Sequence, residues 1–128
     1  GHSVVVYNRT IEKAFEALSE VNGDYKVVPF SLKTVEQNVN AGDVVVSMLP
    51  GNFHVPVAEL CLSLDAHFVS SSYISDEMRD LNSTAKEKDL CFVNEVGLDP
   101  GIDHSMSHAL VEDYKNASTF QHRINILF

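Results

Sequence analysis

Basic residues are scarce in this chain of 128 amino acids: 9 lysines and arginines stand against 18 aspartates and glutamates, for a net charge of −9. The acids are spread along the chain, and no basic stripe is present to meet a phosphate backbone or an anionic membrane surface. Nucleic acid and membrane are therefore not expected as partners. Long apolar runs are lacking too. No window reaches the ~20 residues of a membrane span, and Gly1-His2-Ser3-Val4 has none of the basic and apolar blocks of a signal peptide. The 2 cysteines, Cys61 and Cys91, lie in apolar runs without CxxC spacing. Two buried, reduced thiols and a reducing, cytoplasmic setting are expected. No internal repeat, low-complexity tract or Pro/Gly linker divides the chain. It also lacks an initiator methionine, so a preceding segment is expected.

What is present is a chain that is 45% hydrophobic and 21% charged, enough apolar material for one globular core. Short β-branched runs alternate with stretches of helical periodicity, the pattern of βαβ units around a parallel sheet. Strands are expected at Ser3–Tyr7, Lys26–Pro29, Asp43–Met48, His67–Ser71 and Cys91–Val96. Helices are expected at Ile11–Val21, Leu32–Asn40, His54–Leu64, Asp76–Lys88 and Gly101–Lys115. A last apolar stretch, Ile124–Phe128, ends the chain. Val4-Val5-Val6 and Val44-Val45-Val46 are apolar on both faces, which predicts buried strands near the sheet centre. Asp99 before Pro100 predicts a helix N-cap followed by proline at the first helical position. The fold class is α/β, a Rossmann-like doubly wound sheet.

Four strand ends carry candidate chemistry. Asn8-Arg9-Thr10 follows the first strand. An arginine there pairs with a nucleotide 2′-phosphate, where an acid would bind a 2′-hydroxyl, and the alternative is a helix cap beside a solvated side chain. The segment from Val46 and Ser47 to Leu49, Pro50 and Gly51 closes the third strand, either beside a ligand or as an ordinary turn. Ser70-Ser71-Ser72-Tyr73 presents hydroxyls suited to the carboxylates and amines of an amino acid, or to turn formation. Most informative is 94–104, Asn-Glu-Val-Gly-Leu-Asp-Pro-Gly-Ile-Asp-His: two glycines, a proline and three carboxylates at one strand-to-helix junction. A competing reading concerns His104 and His108, which lie four apart on one helix face at metal-ligand spacing, with Glu112 continuing the row. They lack the HExxH glutamate and a third ligand, so no metal is expected.

The 94–104 segment, preceded by Ser-Ser-Tyr-Ile-Ser and by Val-Val-Ser-Met-Leu-Pro-x-x-Phe-His, resembles saccharopine dehydrogenases over roughly Val4 to Tyr114. The resemblance implies an NADP-dependent oxidoreductase that interconverts saccharopine with L-glutamate and 2-aminoadipate 6-semialdehyde in lysine metabolism, and a homodimer for the whole enzyme. It implies that Asn8, Arg9 and Thr10 meet the 2′-phosphate, that Val46, Ser47 and Leu49 line the cofactor, and that Ser72, Leu98, Asp99 and Pro100 also face it. Ser72, Tyr73 and Asp99 would hold the substrate. Tyr73 and Asp99 are the catalytic candidates, with Asp103 a further group able to move a proton. A carboxynorspermidine-type dehydrogenase and a non-catalytic, partner-binding remnant are the alternatives.

The resemblance also predicts what is not in the sequence. Nothing before Val4 matches the first strand and GxGxxG loop of a dinucleotide fold, which holds the pyrophosphate at a helix N-terminus. Residues 1–116 are thus expected to form a partial dinucleotide-binding domain, with 117–128 starting a connection toward a substrate and dimerisation domain. Weak NADP binding by the chain alone follows.

Overall fold

The computed structural model describes residues 3–116. The expected strand at Ile124–Phe128 and the connection at 117–128 lie outside the described residues. Strand β1 (Val4–Asn8) leads to helix α1 (Ile11–Ala17) and strand β2 (Tyr25–Pro29), then to α2 (Leu32–Asn38) and β3 (Val44–Ser47). A short 3-10 turn at Gly51–Phe53 enters α3 (His54–Ser63), followed by β4 (His67–Ser70), α4 (Asp76–Asp80), α5 (Asn82–Glu87), β5 (Phe92–Val93) and α6 (Asp103–Asn116). The α/β alternation is as expected, and every strand pair is parallel.

Helix ends follow local chemistry. Ser31 caps α2, its Oγ accepting from Thr34 N while Thr34 Oγ1 accepts from Ser31 N, so two otherwise orphaned backbone donors are satisfied. Ser75 Oγ likewise accepts from Met78 N at the start of α4. The helix expected over Asp76–Lys88 divides at Leu81, which joins α4 to α5.

Helix α3 organises the core. His54, Val57, Ala58, Cys61 and Leu62 are its buried residues and recur at helical spacing, so one face turns inward onto β4. There Phe68, fully buried, joins Val57, Ala58, Cys61, Ala66 and Met78 in a single cluster, with the ring of Phe92 of β5 tilted against it at 5.6 Å, centroid to centroid. Replacing Phe68 by alanine should cost about 3–5 kcal/mol. Burial drives the Cys61 thiol up to about 11, where it is inert. Cys91, expected to be buried, is exposed because it lies just outside the short β5.

The largest departure from expectation is in the sheet. β1 pairs with β2, and β4 pairs with β3 on one side and β5 on the other, but among the described residues no ladder joins β1 to β3. Between them runs a cleft of about 640 Å³, lined by Ser3, Val4, Tyr7, Asn38, Asp43 and Val44 among others. Val4 is therefore 49% exposed, and Val44 and Val46 are 60% and 61% exposed, where the all-valine runs predicted buried central strands. The hydrophobic pattern fits a strand covered on both sides, and among the described residues no strand fills the space between them. The Tyr7 hydroxyl, buried beside this cleft, has no hydrogen-bond partner among the described residues. Burial and the nearby Asp43 charge raise its pKa.

Candidate functional site

The carboxyl ends of β1, β3, β4 and β5 carry the four segments singled out from the sequence, as parallel sheets place ligand-binding loops. At the end of β1, Asn8 Oδ1 accepts from Thr10 N at 2.9 Å, which turns the chain into α1. Thr10 occupies the N-cap position without making a side-chain cap bond. Arg9 is exposed, and no salt bridge among the described residues engages it. Its guanidinium is therefore open to solvent.

At the end of β3 the structure shows a network that sequence reasoning missed. His54, read as an ordinary helix-start residue, is buried, with Nδ1 2.9 Å from Ser47 Oγ and Nε2 2.7 Å from Ser72 Oγ. The first turn of α3 thereby joins the ends of β3 and β4. Burial lowers the His54 pKa, so the ring is neutral at neutral pH. Only the small hydroxyl residues at two strand ends hinted at a shared partner. Of the neighbouring cofactor candidates, Val46 is exposed beside the cleft, and Leu49 packs partly buried against the core cluster. Ser47 is buried, and its hydroxyl is engaged with His54.

The end of β4 meets the 94–104 junction. Ser72 N donates to Ser70 Oγ at 3.0 Å, and Glu95 N donates to Ser72 O at 3.2 Å. Glu95 returns through its side chain, Oε1 accepting from Ile74 N at 3.1 Å, with its own backbone at φ 59°. Next to Ser72, Tyr73 Oη donates to Asp99 Oδ1 at 2.9 Å. That bond, then partial desolvation and the charges of Asp99, Asp103 and Glu95, raise the Tyr73 pKa. Its ring also meets His104 edge-on, with centroids 5.9 Å apart.

The junction corrects the helix-cap reading. Asp99 (φ −145°, ψ 111°), Pro100 (φ −73°, ψ 148°) and Gly101 (φ 146°, ψ −92°) are all non-helical, and α6 begins only at Asp103. Proline therefore does not occupy the first helical position and Asp99 is not the N-cap; its carboxylate is free to face Tyr73. Asp103 Oδ1 does the local work, accepting from Gly101 N at 2.8 Å and lying 3.2 Å from His104 Nδ1. Desolvation pushes the Asp103 carboxyl up, but the backbone bonds and the His104 interaction outweigh it and hold the pKa down. Gly101 is required here: its φ favours glycine, and a Cβ would lie 3.0 Å from Glu95 O. Pro100 is buried beneath the turn and Leu98 opens it. An open pocket of about 510 Å³ is lined by Glu95, Gly97, Gly101, Ile102, Ser105 and Met106 among others. Among the described residues no group of three His, Cys, Asp or Glu side chains is placed to hold a metal ion.

The structure thus brings Ser72, Tyr73 and Asp99 together and leaves Asn8, Arg9 and Thr10 at a separate strand end on the same edge. Parallel strands with helical crossovers and ligand-type loops at their carboxyl ends define a dinucleotide-binding α/β domain. Residues 2–93 match the family model described as the saccharopine dehydrogenase NADP binding domain, and the chain belongs to that family. It is 35% identical over 108 residues to an alpha-aminoadipic semialdehyde synthase of Arabidopsis thaliana, covering 84% of this chain and 10% of the relative. It is 33% identical over 118 residues to the L-glutamate-forming, NADP(+) saccharopine dehydrogenase of Pyricularia oryzae, covering 88% of this chain and 26% of the relative. Among solved structures it resembles apo saccharopine dehydrogenase from Saccharomyces cerevisiae, with a TM-score of 0.66 and 28% identity over 90% of this chain and 26% of that one. The chain therefore spans about a quarter or less of the length of these relatives.

Proposed function

We propose that this chain is the nucleotide-facing part of an NADP-dependent oxidoreductase that interconverts saccharopine with L-glutamate and 2-aminoadipate 6-semialdehyde. The observation that carries the reading is the Tyr73–Asp99 hydrogen bond of 2.9 Å beside Ser72, which gathers a donor, an acid and a hydroxyl at adjoining strand ends. Such a cluster suits a substrate bearing both amines and carboxylates. NADP supplies the hydride chemistry when bound. The chain's own residues position the reacting carbon and move protons, with Tyr73 and Asp99 as catalytic candidates and Asp103 behind them. Arg9, with Asn8 and Thr10, takes the 2′-phosphate; Val46, Leu49, Leu98 and Pro100 border the cofactor path.

The described residues fit only part of the cofactor. Among the described residues no glycine-rich loop at a helix N-terminus is present for the pyrophosphate, and the cleft between β1 and β3 has strand-lined walls. A strand and glycine loop entering that cleft would complete both the sheet and the site, which makes residues 1–116 a partial dinucleotide-binding domain. Residues 117–128 then lead toward the substrate and dimerisation domain of a cytoplasmic homodimer, with no part for nucleic acid. NADPH fluorescence titration tests the reading. Weak or absent binding is expected for the chain as it stands, with micromolar binding once a preceding strand and GxGxxG loop are joined to it and an additional response on adding saccharopine. Failure of the extended protein to bind NADPH would overturn the proposal.

A further inference from the structure

The least expected feature of the site is a buried imidazole held from both sides, with Ser47 Oγ 2.9 Å from His54 Nδ1 and Ser72 Oγ 2.7 Å from His54 Nε2. A neutral imidazole has one N–H and one lone pair, so one serine must donate to it and the other must accept from it. Which does which follows from their surroundings. Ser47 is 2% exposed, and its hydroxyl has no other partner among the described residues. A buried hydroxyl proton without an acceptor costs more than an unused oxygen lone pair. Ser47 therefore donates to Nδ1, the ring carries its proton on Nε2, and Nε2–H donates to Ser72 Oγ. Ser72 stands half-buried at the end of β4, next to Tyr73. With its oxygen already accepting from the ring, its own hydroxyl proton has no acceptor among the described residues and is left for an external one.

We propose that His54 is a positioning residue, fixed by Ser47 as the Nε2–H tautomer, that turns Ser72 into a hydrogen-bond donor aimed at an oxygen of the bound molecule. The opposite tautomer would consume the Ser72 proton and present a lone pair, which suits an ammonium instead. Two groups on one small-molecule face are thereby told apart: Ser72 addresses a carboxylate or carbonyl oxygen, and the neighbouring Asp99 carboxylate is left for an amine. This assignment of the ligand's ends rests on the reading of these strand ends as the substrate face; the tautomer does not.

The test uses the full chain, labelled with 15N in its histidine rings, at neutral pH. Long-range proton–nitrogen correlation should show His54 neutral, with a protonated Nε2 and an unprotonated Nδ1. A protonated Nδ1 would overturn the proposal. L-Glutamate is then titrated as a probe carrying both kinds of group, with the Ser72 amide as the readout. Saturable binding in the millimolar range is expected. His54→Gln, whose side-chain amide can still donate to Ser72, should stay within about threefold of the parent, and His54→Phe should weaken binding about tenfold. Equal binding by the two variants, or no saturable shift in the parent chain, would sink the idea. A failure of NADPH to bind the extended protein would instead strike the cofactor reading and leave these ring signals as they are.

Discussion

Tyr73 Oη donates to Asp99 Oδ1 across 2.9 Å and in doing so ties the end of β4 to a turn 26 residues further along the chain. The carboxylate favours the protonated phenol, so the bond is the leading cause of the raised Tyr73 pKa. Asp99→Asn should lower that pKa toward its ordinary value, as read by ultraviolet titration; an unchanged titration would show that the contact does not persist in solution. In the extended enzyme, Tyr73→Phe should reduce turnover on the order of 10²-fold or more. A rise in KM alone would assign Tyr73 to binding.

On the proposed reading, Arg9 separates the two nicotinamide dinucleotides. In the protein extended by a preceding strand and glycine-rich loop, Arg9→Ala should weaken NADPH by roughly 1.5–3 kcal/mol, about ten- to 150-fold, through loss of charge-assisted hydrogen bonds. NADH, which has no 2′-phosphate, should bind as before. Equal losses for both would show that Arg9 acts on the fold.

The two glycines of the junction should respond differently to alanine. At Gly101 the positive φ and a Cβ 3.0 Å from Glu95 O make the change strained, at about 1–3 kcal/mol by denaturant unfolding. At Gly97 the added Cβ would meet Ser71 Cβ at an ordinary 3.4 Å and no positive φ is involved, so a much smaller loss is expected. Similar losses at both positions would contradict the described turn.

His54 should make the chain acid-sensitive. Burial lowers its folded pKa below the unfolded 6.5, so the unfolded state takes up the proton first. The stability that depends on the neutral ring is fully present above 6.5 and is lost as the pH falls through the lower folded value. Unfolding midpoints measured across this window should fall more steeply for the parent than for His54→Gln. Parallel curves would show that the ring is not held neutral.

The sequence made the alternation of strands and helices legible because β-branched runs and helical spacing are local signals. Asn8, Arg9 and Thr10 could be placed at a strand end for the same reason. What escaped depended on partners distant in sequence or on a single torsion. His54 looked like a helix-start residue because Ser47 and Ser72, 7 and 18 positions away, give it its role only in three dimensions. Asp99 followed by Pro100 had the residue order of a helix cap, and the turn at Gly101 with φ 146° moved the helix start to Asp103. The run Val44-Val45-Val46 is apolar on both faces, which is the pattern of an internal strand covered on both sides, and that pattern cannot show that Val44 and Val46 lie exposed at a cleft.

The unpaired edges of β1 and β3 bear on cooperativity. The buried cluster around Phe68 belongs to the β3–β4–β5 side, while among the described residues α1 and β2 contribute Ala14 and Val28 to the buried apolar residues. Half-sheets without a shared ladder open with separate free energies, the one with fewer buried contacts first. Arg9 sits on that weaker half, so its amides should exchange with solvent sooner than those around Phe68, and the affinity of this edge for a nucleotide includes the ordering of the half-sheet that carries it.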